Sequence, residues 1–136
     1  MDASRPVRIV ESDKADATEA IRTAALDMVR HLGILRDDLR KGDASDIKAD
    51  CFELASSSLN LLLLLNHRQY PAGDFWKGIS EMPSQPADLR RLFDLAHADA
   101  PASQEEMVAA ALKLIDEMLE MVRLRGIAIE KSDLVV

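Results

Sequence analysis

Residues 47–66 read IKADCFELASSSLNLLLLLN. Ile47, Cys51, Leu54, Ser58, Leu61 and Leu65 recur at steps of four and three, the repeat of an α-helix rather than the every-second-residue repeat of a strand. Phe52, Ala55, Leu59 and Leu62 draw a second stripe beside the first. Two adjoining stripes make an apolar face too wide for a surface helix, so this segment belongs at the centre of a fold. Ser58, small and on the seam, predicts close approach by a neighbour. Asp43 is a suitable cap and Pro71 forbids continuation, which predicts a helix from about Ala44 to Gln69.

The flanking segments repeat the pattern. A first helix is predicted from about Lys14 to Lys41, capped by Asp13, with Ile21, Ala25, Met28, Leu32, Leu35 and Leu39 on one stripe and Gly42 as its stop. Residues 1–12 read as a flexible N-terminal arm, and 13–136 as a single bundle domain. A short helix is predicted over Asp74 to Glu81. Pro83, Ser84 and Pro86 mark a connection, with Pro86 opening a helix to Ala98 whose buried side is Leu89, Leu92, Phe93 and Ala96. Ser103-Gln104-Glu105-Glu106 is a capping box. It starts a last helix to about Arg125, with Gly126 as stop. That helix carries two stripes, Val108, Leu112, Ile115, Leu119, Val122 and Met107, Ala111, Leu114, Met118, Met121. Either one stripe packs internally while the other forms a homodimer through the last helix, or the helix is fully embedded in a monomer. No strand pattern or internal repeat appears. The fold class expected is all-α: an antiparallel up-and-down bundle of four main helices plus a short connecting helix.

Composition narrows the function classes. The chain has 136 residues and a net charge of −7, which disfavours general binding to phosphate backbones. Cys51 is the one cysteine, so no internal disulfide forms, and its apolar setting predicts a buried, inert thiol. The N-terminus lacks the apolar core of a signal peptide, and the leucine run falls far short of the about 20 residues that span a bilayer. A cytoplasmic protein without membrane contact is the expectation. His31, His67 and His97 are scattered singly, with no His-x-x-x-His or Glu-x-x-His pair, so neither a metal nor a cofactor is expected.

Chemistry concentrates where the central helix ends. Asn66 extends the second stripe and Arg68 the first, which aims two polar groups along the buried face at one pole. Buried polar groups need partners. In a structural reading, Asn66 caps the following turn and Arg68 pairs with Asp74. In a functional reading, Arg68 and Lys77 hold an anion while Tyr70 and Trp76 form flat walls, making Asn66, Arg68, Tyr70, Trp76 and Lys77 a ligand-binding set.

Leu65, Asn66, Arg68, Tyr70, Pro71, Trp76, Lys77, Pro83 and Pro86 form a pattern that resembles the helical C-terminal domains attached to nucleotidyltransferases, of the kanamycin-nucleotidyltransferase C-terminal type within the HEPN-like group. The resemblance covers residues 50–98. It implies a helical bundle that helps bind substrate beside a separate catalytic domain. No Gly-Ser loop followed by an Asp-x-Asp strand is present, and the order Trp76-Lys77 departs from the Lys-Trp order of that family. The resemblance therefore implies a non-catalytic binding module acting on a small-molecule ligand or a nucleotidyltransferase catalytic partner. Related bundles include ribonucleases that carry an Arg followed by a His. Arg90 and His97 stand at a comparable spacing and share a helical face with Asp94, although Arg91 fits that pattern poorly. The alternatives are a structural homodimer without a ligand site and this Arg…His ribonuclease.

Overall fold

The turn after Lys41 sets the architecture. The computed structural model describes residues 11–69, 73–97 and 101–129, with side chains from Ala17 onward. Gly42 adopts φ 77°, the left-handed region where a Cβ is unwelcome, and its N–H closes on the Asp38 carbonyl at 2.9 Å. The Asp43 carboxylate then accepts from the Asp46 N–H at 3.0 Å as an N-cap. Helices α1 (Glu11–Lys41) and α2 (Ala44–Leu65) are thereby folded back on one another across a tight turn. Helices α3 (Phe75–Ser80), α4 (Leu89–Ala96) and α5 (Gln104–Leu124) complete an all-α bundle, with no strand among the described residues. Helix α2 packs against α1 and α5, and α4 packs on α5.

Most of the stripe residues read from the sequence form the core, but Leu39, at the end of the α1 stripe, is 37% exposed. Ile47, Cys51, Leu54, Ser58, Leu61 and Leu65 are all buried, as are Ala55, Leu59 and Leu62. Phe52 departs from its stripe and is 46% exposed, with its ring stacked on that of His97 at 3.9 Å. Ser58 is fully buried with its hydroxyl donating to the Leu54 carbonyl at 2.8 Å, so its own helix satisfies it. Helix α5 buries Met107, Ala110, Ala111, Leu114, Ile115, Met118 and Val122, while Val108, Leu112 and Leu119 are only partly covered. Its capping box forms as read, with Ser103 Oγ accepting from Glu106 N–H and Glu106 accepting from Ser103 N–H.

Three boundaries differ from the sequence expectation. Glu11 and Ser12 belong to α1, so Asp13 falls inside the helix; the rest of the expected arm lies outside the described residues. Helix α4 begins at Leu89 and not at Pro86, whose carbonyl instead accepts the Leu89 N–H in the preceding turn. Helix α2 ends at Leu65, four residues before Gln69. His67 flips to φ 52° there. Its N–H bonds to the Leu64 carbonyl at 3.1 Å and the Arg68 N–H to the Leu63 carbonyl at 2.9 Å, the paired bonds of a Schellman motif. A left-handed histidine costs roughly 1–2 kcal/mol, and the two bonds offset it.

Near the α1–α2 turn, Asp50 of α2 is half-buried, with one carboxyl oxygen enclosed and unbonded. Burial pushes its pKa from the ordinary 3.8 up to about 7, helped by a hydrogen bond with Asp38 and by the charges of Asp38 and Asp46. The folded chain thus holds a proton here that the unfolded chain releases near pH 3.8. This contribution to stability is complete below that pH and is lost as pH rises through about 7. Melting temperatures measured from pH 4 to 8 should fall with pH more steeply for the wild type than for Asp50→Asn, and parallel curves would refute the protonated carboxyl.

Candidate binding cleft between α3 and α4

Asn66 is the bracket that holds this pole together. As the C-cap of α2 it is partly buried, and its side chain makes three bonds. Nδ2 donates to the Leu62 carbonyl at 2.8 Å and to the Ser84 carbonyl at 2.7 Å, while Oδ1 accepts the Ser84 N–H at 2.9 Å. The reciprocal pair with Ser84 pins the α3–α4 connection to the end of α2, across 18 residues of chain. A second residue of that connection, Gln85, donates Nε2 to the carbonyls of Ile79, Ser80 and Met82 at 2.9–3.1 Å. It thereby covers the last two carbonyls of α3, Ile79 and Ser80, and ties the helix end to the turn at Met82. From the opposite side, the Arg125 guanidinium at the end of α5 donates to the Leu65 carbonyl.

Helix α3 starts with Asp74 accepting from the Lys77 N–H at 3.2 Å. Asp74 is thus engaged as an N-cap. The next residues begin a continuous chain of rings. Phe75 meets Trp76 edge-on at 5.4 Å and 74°, and Trp76 meets Phe93 edge-on at 5.4 Å and 69°. Phe93 stacks on His97 at 4.7 Å, and His97 stacks on Phe52 at 3.9 Å. All three phenylalanines and the single tryptophan therefore join one chain that ties α3 and α4 to α2. The Arg90 guanidinium lies over the indole of Trp76 at 5.2 Å from its centroid, and its Nε is 3.8 Å from Asp94.

Between α3 and α4 these residues enclose an open cleft of about 580 Å³. Trp76, Lys77, Ser80 and Gln85 line one side, and Asp88, Arg90 and Arg91 the other. Arg91 is paired with Asp88 at 3.2 Å. Lys77 makes no ion pair among the described residues, so its ammonium is free for a ligand.

The sequence-derived set divides here. Trp76 and Lys77 share the cleft. Asn66 does not line it, and its side chain, expected either to cap the following turn or to bind a ligand, instead bonds back to Leu62 and across to Ser84. Arg68 is exposed, is absent from the cleft lining and is not paired with Asp74, because the left-handed turn at His67 rotates the chain off the buried stripe. Tyr70 lies outside the described residues. Arg90 faces Trp76 and Asp94, and His97 has rings on both faces. Arg91, Gln85 and Arg125 were not singled out as site residues. Its place next to Arg90 is the one sequence signal that points to Arg91, and nothing local marks the other two.

Among the described residues no group of three or more His, Cys, Asp or Glu side chains is placed to hold a metal ion, and no helix is long and apolar enough to cross a membrane. Burial pushes the Cys51 thiol up to about 11, with the Asp50 charge adding to the effect, so it stays protonated and unreactive. No protein-family model, curated protein or solved structure matches the chain.

Replacing Asn66 by Ala leaves the Ser84 N–H and C=O without their partners. Urea unfolding should show a loss of about 2 kcal/mol, the cost of stranding partly buried polar groups. A loss below about 0.5 kcal/mol, the range of ordinary surface changes, would mean that water replaces the bracket.

Proposed function

We propose that this chain is a non-catalytic helical binding module, acting in the cytoplasm, whose recognition surface is the cleft between α3 and α4. One observation carries the reading. Trp76 and Lys77, singled out from sequence, converge with Arg90 and Arg91 on a single open cleft of about 580 Å³. A cleft of this size with an aromatic wall and a few polar groups suits a small organic ligand. The resemblance to nucleotidyltransferase-associated helical domains supports the same role: holding a substrate, or part of a partner catalytic protein, while chemistry occurs elsewhere. The missing Gly-Ser and Asp-x-Asp elements argue against independent transferase activity.

A second reading is self-association. It is favoured by the partly covered Val108, Leu112 and Leu119 on α5 and by Leu124, which is 71% exposed on the same helix. The ribonuclease reading gains less. His97 is sandwiched between Phe52 and Phe93, and Arg90 is engaged with Trp76 and Asp94.

Thermal-shift screening against nucleotides and aminoglycosides tests the cleft. A true ligand should stabilise the wild type and Arg68→Ala alike, and Lys77→Ala less. Stabilisation that is equal in all three proteins would place binding outside the cleft. Sedimentation of wild type and Leu124→Asp tests the second reading, with a dimer lost in the variant as its supporting result.

A further inference from the structure

The charges around the cleft are unequally committed. Asp74 is engaged as the cap of α3, and Asp88 is taken up by Arg91. Lys77 has no ion pair among the described residues. Arg90 is held by two loose contacts, 3.8 Å to Asp94 and 5.2 Å to the Trp76 ring centroid. Counted as formal charges, the lining sets Lys77, Arg90 and Arg91 against Asp74 and Asp88, a positive balance on a chain whose net charge is −7. That overall charge repels long polyanions and leaves small anions as the fitting class.

Shape narrows the class further. Edge-on contacts with Phe75 and Phe93 fix the indole plane of Trp76. The ring lies in the cleft wall, with the Arg90 guanidinium over it at 5.2 Å from the centroid. A flat ring that takes the place of the guanidinium regains the face contact, and an anionic group on that ring draws the displaced guanidinium with it. Lys77 stands beside Trp76 in the same wall and supplies the second cation.

We propose that the cleft takes a small aromatic anion, a planar ring bearing a carboxylate or a phosphate, with the ring on Trp76 and the charge between Lys77 and Arg90. This rests on the reading of the cleft as the recognition surface and adds the ligand class. Arg90 is the moving part: it leaves Trp76 and Asp94 to follow the anion.

The single tryptophan makes the test direct, since all indole fluorescence reports on the cleft. Benzoate, phenyl phosphate, acetate, inorganic phosphate and benzylamine are titrated separately at constant ionic strength, with melting temperature as a parallel readout. Benzoate or phenyl phosphate should change the Trp76 emission with saturation and raise the melting temperature. Acetate and inorganic phosphate, lacking the ring, should bind about tenfold or more weakly. Lys77→Gln and Arg90→Gln should each weaken binding of the aromatic anion about tenfold, since a charge-assisted hydrogen bond is lost. Both side chains are exposed, so unliganded melting temperature and helical circular dichroism should be unchanged and serve as the folding control. The preference between benzoate and phenyl phosphate identifies the anionic group. Equal binding of benzylamine, or binding indifferent to both variants, overturns the proposal. Saturable binding of benzylamine or a cationic aminoglycoside alone overturns the ligand class and leaves the cleft as a recognition surface. Silence from every probe and from the wider screen overturns both.

Discussion

The four carbonyls that α2 leaves open at its C-terminus organise this pole of the molecule. A helix cannot satisfy its last carbonyls internally, and near a packed core each needs a partner. Here every one is met. Leu62 accepts from Asn66, through both its backbone N–H at 3.1 Å and its side-chain amide at 2.8 Å. Leu63 accepts from the Arg68 N–H and Leu64 from the His67 N–H. Leu65 accepts from the Arg125 side chain at the end of α5. The solution recruits three distant parts of the chain, because the amide that serves Leu62 also clasps Ser84 in the α3–α4 connection.

The cleft follows from this closure. With Ser84 pinned to Asn66 and Gln85 covering the end of α3, the short helix cannot drift from α4. The ring chain from Phe75 to Phe52 then fixes the orientation of Trp76 in the wall. A six-residue helix has almost no stability alone, so its order comes from these tertiary ties. The site is thus rigid at the indole and movable at Lys77 and Arg90, whose side chains reach the cleft with loose or no protein partners. Such a division suits recognition: a fixed flat wall with charges that adapt to what arrives.

The helical periodicity made the bundle legible in the sequence. The paired stripes of α2 and α5, the stop at Gly42, the capping box at Ser103 and the stop at Gly126 all depend on local spacing or on residues with one strong conformational preference. The end of α2 was not legible, because a histidine rather than a glycine takes the left-handed position there. Four extra residues of imagined helix carried Arg68 onto the buried stripe, where the real chain does not put it. Trp76 and Lys77 are legible because they sit together in sequence. Arg90 stands out in the sequence for its spacing to His97, yet its setting is decided by Trp76, fourteen residues earlier, through a contact that no periodicity reveals. The clasp between Asn66 and Ser84 and the reach of Arg125 across 60 residues are likewise products of the folded topology.

Ser84 offers the most direct test of this account, since its N–H lies outside any helix and is held by a side chain alone. Native-state hydrogen exchange reads that one amide. The account predicts a Ser84 N–H that exchanges slowly in the wild type and at the rate of an open loop in Asn66→Ala, while the amides of α1 and of the middle of α5 keep their protection. A Ser84 amide that exchanges freely in the wild type would contradict it, for then nothing fixes the connection to α2 and the cleft loses the wall on which its function rests.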